Sequence, residues 1–178
     1  QVAVLLKIPL YLDTIGTIMV GMLCGPWVGG LAGLITNLVL GIAEPTFIPF
    51  AIVNVVVGVV TGLCARWDGF SVWWKWIISM VLMSLASIVT AAPIVVILYG
   101  GITASGTSLI TATLMATGVN IWKAVISTEL VFTISDRIIS YIITYLIIRV
   151  IPDRTLIKFS IGENYIRKRA KTDEGAAA

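Results

Sequence analysis

Long apolar runs broken by glycine, proline and isolated polar residues make up most of this chain, and the interruptions define its elements. After a fragment from Gln1 to Tyr11, an apolar segment from Thr14 to Cys24 ends at Gly25-Pro26, and a second runs from Trp27 to Ile42. Roughly 20 apolar residues span a bilayer as a helix, fewer where neighbours cover the segment. Pro45 and Pro49 bound a loop, and the next helix is expected from Phe50 to Ala65, ending at "RWDG". Another is expected from Val72 to Tyr99, kinked at Pro93, where the ring removes one helical hydrogen bond. The last is expected from Lys123 to Val150, stopping before Pro152. Between them, "GGITASGTSLITATLMATGVN" (Gly100 to Asn120) is uncharged and rich in Gly, Ser and Thr. It reads either as a plain linker or as a cap or lid packed on the protein.

Composition turns these apolar segments into membrane segments. Of 178 residues, 58% are hydrophobic and 12% charged, and the mean hydropathy is +1.04, whereas a soluble domain is nearer half apolar and a quarter charged. Asp13 and Glu44 are the only charges between Ile8 and Ala65, and there are none from Trp76 to Trp122. The expectation is an all-α integral membrane protein, a compact bundle of about six transmembrane helices. Residues 1–156 would form the membrane-embedded domain and 157–178 a basic cytoplasmic tail and linker. The opening "QVAVLLKIPLYLD" lacks the features of a cleavable signal peptide and reads like the end of a helix, so a first transmembrane helix is expected to be short or only partly represented.

The net charge of +3 comes largely from Arg167, Lys168, Arg169 and Lys171. Beyond an apolar body, such a cluster is the positive flank of a last transmembrane helix rather than a nucleic-acid site. Arg66, Lys75, Arg149, Arg154 and that cluster share one side if the helices alternate, and that side should be the cytoplasm. The opposite rim then holds Asp13, Glu44, Lys123 and Glu129, with Asn37 and Asn54 in the same outer half. Gly21, Gly25, Gly29 and Gly33 recur at four-residue spacing, and Gly58 and Gly62 repeat it, a pattern that lets helices approach closely.

Packing does not account for the carboxylates. With a last helix beginning near Asn120, Trp122, Glu129, Thr133, Asp136 and Ser140 fall on one face. A carboxylate deep in a membrane helix costs a few kcal/mol and faces a partner, water or a ligand. Asp136 has a structural alternative, pairing with Arg137 or with a group on another helix. The outer half thus offers four carboxylates (Asp13, Glu44, Glu129, Asp136), two cations (Lys123, Arg137), the amides of Asn37, Asn54 and Asn120, and Trp122. That mixture suits a small polar molecule with a flat ring better than an ion pore. No phosphate loop, HExxH or Gly-x-Ser-x-Gly elbow occurs, and the chain has no His, so enzymatic activity and a metal or organic cofactor are not expected. Cys24 and Cys64 read as buried packing residues.

"KIPLYLDTIGTIMVGMLCGPWVGGLAGLITNLVLG", then "PFAIVNVVVGVVTGL" and a late "TISDRIISYIITYLIIRVIPDR", resemble the substrate-binding S component of an energy-coupling factor (ECF) transporter, from about Lys7 to Arg154. The features that carry the resemblance are a polar entry ("LDT"), a short helix, a "GP" turn and a Gly-rich helix ending in Asn. The resemblance implies a six-helix bundle in a bacterial or archaeal cell membrane, with both termini cytoplasmic, that captures a vitamin or related micronutrient on the outer side. It further implies docking on a transmembrane coupling (T) protein with two ATPases that hydrolyse ATP, and delivery inward by toppling. Regions around Leu10 to Thr14, Ala43 to Pro49 and Gly100 to Trp122 would form the lid and much of the site. Asp13, Thr14, Asn37, Glu44, Asn54, Asn120, Trp122, Lys123, Glu129, Thr133 and Asp136 are therefore the candidate ligand-binding residues.

One departure concerns docking. The family presents small residues at four-residue spacing on its first helix to the coupling protein, and here only Ala3 is in view. Gly21, Gly25, Gly29 and Gly33 are a second candidate docking face. Four acids against two bases on the outer side argue against strongly anionic substrates such as pantothenate or folate. Neutral or cationic heterocycles, for example riboflavin or a thiamine-type pyrimidine, are favoured. The competing reading is a membrane sensor or scaffold domain that binds a protein partner; a secondary transporter would show an internal repeat, which is not evident.

Overall fold

A computed structural model of the chain describes residues 14–67, 73–103 and 107–166, and the expectations placed on Ala3, Asp13 and the basic cluster 167–171 lie outside them. The described residues form helices α1 (Thr14–Cys24), α2 (Pro26–Ala43), α3 (Ala51–Arg66), α4 (Trp73–Tyr99), α5 (Thr107–Ala116), α6 (Ile121–Val150) and α7 (Asp153–Leu156), with a 3-10 turn at Pro45–Phe47. Three are long and apolar enough to cross a membrane, Pro26–Ala43, Trp74–Tyr99 and Ile121–Val150, while α1, α3 and α5 are shorter apolar helices. Together they make a multi-pass membrane protein.

Local chemistry explains the boundaries. Gly25 takes φ 93°, a left-handed conformation that costs glycine little, and Pro26 follows in the first turn of α2, where its missing N–H is not needed. This turn reverses the chain and sets α1 and α2 antiparallel. α4 continues through Pro93, losing one backbone bond in an otherwise regular helix. The Asn120 side chain accepts from the Trp122 N–H at 2.9 Å and caps α6.

The glycines are consumed inside the bundle. A Cβ on Gly29 would lie 2.7 Å from both Gly21 Cα and Gly58 O, and one on Gly58 2.2 Å from Gly29 O. On Gly62 it would lie 2.2 Å from Pro26 N, and on Gly33 2.4 Å from Asn54 O. Backbone therefore meets backbone along a seam where α1, α2 and α3 converge. This bears on the expected docking face: Gly21, Gly25, Gly29 and Gly33 are buried within the chain's own helix packing and present no outward surface. What α2 does expose is Trp27, Leu31, Ile35, Val39 and Ile42.

Around the seam lies the main core, with Ile18, Met22, Val57, Met83, Tyr141 and Ile148 fully buried or nearly so. The division expected at residue 156 does not mark the end of packing. Leu156, Ile161 and Tyr165 are buried in the same core, the Ile161 N–H donates to Leu23 O at 3.0 Å, and the Ser160 hydroxyl to Cys24 O at 3.1 Å. Residues 157–166 thus cover the C-terminal end of α1 and satisfy carbonyls that the helix leaves unpaired. The segment from Gly100 to Asn120 likewise departs from a plain linker, since it contains α5, whose Thr107, Ser108 and Thr111 are buried.

Candidate functional site

Two ends of the bundle differ in character. At one, Arg66 lies beside Gly25 at the α1–α2 turn, Lys75 lies over Trp67, and the chain beyond α6 meets the end of α1. This basic rim is the side on which Arg66, Lys75, Arg149 and Arg154 were expected together. At the other end, the close of α2, the 3-10 turn, the start of α3 and the close of α4 are tied by polar side chains.

Asn37 and Asn54 sit at the centre of that second end, 1% and 3% exposed. The Asn54 Nδ2 donates to Asn37 Oδ1, and the Asn37 Nδ2 donates to Phe47 O at 3.0 Å. The pair exists because Gly33, one turn before Asn37, allows α2 to touch the α3 backbone at Asn54 itself. Next to it, the Tyr99 hydroxyl donates to Thr46 O at 3.1 Å, its ring stacks on Phe50 with centroids 5.9 Å apart, and the Thr46 hydroxyl donates to Glu44 at 2.8 Å. The loop after α2 is thereby held to both α3 and α4.

A second polar set runs along α6. Glu129, Thr133, Asp136 and Ser140 are buried on one face, as their spacing predicts. The Thr133 hydroxyl lies 3.3 Å from Glu129 Oε2. Arg137 is also buried: Nη1 donates to Thr14 Oγ1 at 2.6 Å, Nη2 to Ser87 Oγ at 3.2 Å, and Nη1 lies 3.7 Å from Asp136. One guanidinium thus joins α1, α4 and α6 through its fork of donors. Sequence reasoning weighed Arg137 as a partner for Asp136 and as a cation of the outer half, and missed Ser87, whose signal was a serine three residues after Ser84, both buried.

The position of Thr14 gives the site its depth. Arg137 is sixteen residues along α6 from Ile121, about 24 Å, yet it touches the first residue of α1. The 11 residues Thr14–Cys24 cover about 16 Å and lie in the half of the bundle toward the basic rim. Among the described residues, α2, α3, α4, α5 and α6 build the other half, which contains the Asn37–Asn54 pair and Glu129.

The remaining candidates stand apart. Asn120, Trp122 and Lys123 are exposed at the start of α6, with the Asn120 side chain engaged as a helix cap, and Glu44 is half-buried in the loop. Trp122 is 42% exposed, although Ile121 beside it packs against Val95 and Val125. Among the described residues, then, the buried charged side chains are Glu129, Asp136 and Arg137, two acids and one base. No cluster of three or more potential metal ligands occurs among the described residues.

No curated protein and no solved structure matches the chain. The family described as "ECF transporter, substrate-specific component" matches residues 2–148, which takes in the antiparallel α1–α2 pair, the asparagine pair and the polar face of α6. With most of its length matched, the chain belongs to the substrate-specific components of ECF transporters, and is a substrate-binding subunit of a transport system.

Proposed function

We propose that this subunit captures a neutral or cationic heterocycle of the vitamin type, such as riboflavin or a thiamine-type pyrimidine, on the side opposite the basic rim. The observation that carries this reading is the buried charge: two carboxylates against one guanidinium, and that guanidinium already donates to Thr14 and Ser87. In a low-dielectric interior, an anionic ligand near Glu129 and Asp136 meets repulsion, whereas ring N–H donors or a cation find acceptors. The Asn37 and Asn54 amides, Glu129 and Thr133 supply the few placed polar groups that orient a ligand, and apolar Phe50, Val95 and Val125 lie nearby on the same end of the bundle.

On this reading the basic rim is cytoplasmic, the membrane is that of a bacterial or archaeal cell, and the loaded subunit docks on a T protein with two ATPases, toppling to release its ligand inward. The membership of the family and the side on which the basic residues gather support it.

Mass spectrometry of small molecules released by denaturing the protein, after mild purification in detergent, tests the reading. A single heterocycle near one equivalent is expected, reduced at least tenfold in Glu129→Gln and Asn54→Leu proteins that retain the wild-type melting temperature. A polyanionic ligand such as a folate, or retention unchanged in both variants, would overturn it.

A further inference from the structure

Between the second half of α3 and the middle of α4 the outer surface is indented by a groove of about 570 Å³. Val60 and Leu63 line it from α3, Trp67 from the residue after it, and Leu82, Leu85 and Val89 from α4. Four of these, Leu63, Trp67, Leu85 and Val89, are half or more exposed. A wall with so little polar surface accepts hydrocarbon and offers nothing to a polar ligand.

The end of the groove is different. Lys75 Nζ lies 5.9 Å from the centroid of the Trp67 ring, at the basic rim. The ion pair among the described residues is Arg137–Asp136, so no described carboxylate neutralises Lys75. Neither α3 nor α4 contains an acidic residue, and their charges are Arg66 and Lys75. The lining runs from Val60 to Trp67 on one side and from Leu82 to Val89 on the other, seven residues or about 10 Å of helix each, against about 15 Å for one hydrocarbon leaflet. A linear chain that entered beside Lys75 would lie against the groove for much of the depth of its leaflet.

We propose that this groove binds one acyl chain of an anionic phospholipid from the leaflet at the basic rim, with the headgroup phosphate held by Lys75 beside Trp67. Every apolar face of a membrane protein meets lipid; concavity combined with a cation at the headgroup level that no described carboxylate neutralises distinguishes this one. The inference stands on the α3–α4 surface alone and is independent of the identity of the transported molecule.

Native mass spectrometry of the full chain tests it, with phosphatidylglycerol and phosphatidylcholine of identical chains added in equal amounts. One retained phosphatidylglycerol is expected, preferred about fivefold, the effect of a single lysine near an anionic surface. Lys75→Gln, a change at the rim, removes the preference while leaving retention at the phosphatidylcholine level. Ala86→Phe, which fills the groove floor, lowers retention of both lipids. Equal retention of the two lipids by the wild type, or an undiminished preference in Lys75→Gln, overturns the proposal. So does an Ala86→Phe protein that keeps its lipid but no longer assembles with the coupling protein, because the groove then receives a partner helix.

Discussion

A methyl group added at Gly58 should damage the fold and the site together. The Cβ of Gly58→Ala would lie 2.2 Å from Gly29 O, 2.4 Å from Gly29 C and 2.8 Å from Gly30 N. These are backbone atoms of a packed helix, so no side-chain rotation relieves the contact. Restoring 3.4 Å to Gly29 O requires α2 and α3 to separate locally by about 1.2 Å. Overpacking of this kind costs roughly 1–3 kcal/mol, and a chain of this size loses about 2–4 °C of melting temperature per kcal/mol. A fall of about 2–12 °C is therefore expected for detergent-solubilised protein. Because Asn54 is one turn before Gly58 on α3, the same separation pulls Asn54 away from Asn37, so ligand retention should fall with stability. Gly16→Ala is the matched control: its Cβ meets nothing within 4 Å, and alanine is favoured over glycine in a helix by about 1 kcal/mol. It should leave the melting temperature unchanged or raise it. Equal melting temperatures for Gly58→Ala and Gly16→Ala would refute the glycine seam as the contact that brings α2 against α3.

Arg137→Met should be among the most damaging single changes, because it removes bonds to Thr14 and Ser87 and leaves Asp136 buried without its guanidinium. Breaking a buried pair costs about 3–5 kcal/mol, against about 1 kcal/mol for Ser87→Ala, which removes a single hydrogen bond; comparable melting temperatures for the two variants would count against the three-helix role of Arg137. Asn120→Ala removes the cap of α6 and is expected to cost about 1 kcal/mol, read as a small drop in melting temperature with ligand retention intact, whereas loss of ligand at unchanged stability would assign Asn120 to the site itself.

Much of the helical plan was legible because glycine and proline punctuate it. Thr14 and Cys24 bound α1 as expected from the Gly25-Pro26 turn, and α6 follows directly on Asn120 as its polar spacing requires. The polar face Glu129, Thr133, Asp136 and Ser140 was legible for a related reason, since polar residues recurring with a period of 3.6 in an apolar helix must share one side of it. Three features were not. Helix α5 has Ser and Thr through a segment with no clear apolar stripe, so its pattern does not separate helix from loop. Docking of residues 157–166 depends on Leu156, Ile161 and Tyr165 entering the core beside α1 across the whole chain, a contact no local pattern encodes. The exposure of Trp122 depends on which neighbours pack around the first turn of α6, and angular periodicity carries no information about that.

Glycine and asparagine act here as one device. The bilayer gives helices no hydrophobic reason to associate, so contact must come from shape and from polar groups that find partners. On α2 the seam residues Gly29 and Gly33 come first and Asn37 follows at the same four-residue spacing; on α3 Asn54 precedes Gly58 and Gly62 at that spacing too. Running antiparallel, the two series place backbone against backbone along most of the contact and amide against amide at its outer end. The close approach is what lets two short side chains meet, and their mutual hydrogen bond leaves the remaining amide groups directed by the fold rather than by solvent. A larger residue at Gly33 would therefore act on Asn54 through the backbone it touches, without altering any polar atom. The polar end of the bundle depends on the glycine seam beneath it, and substitutions in the seam are expected to register at the site even though none of the seam glycines carries a functional group.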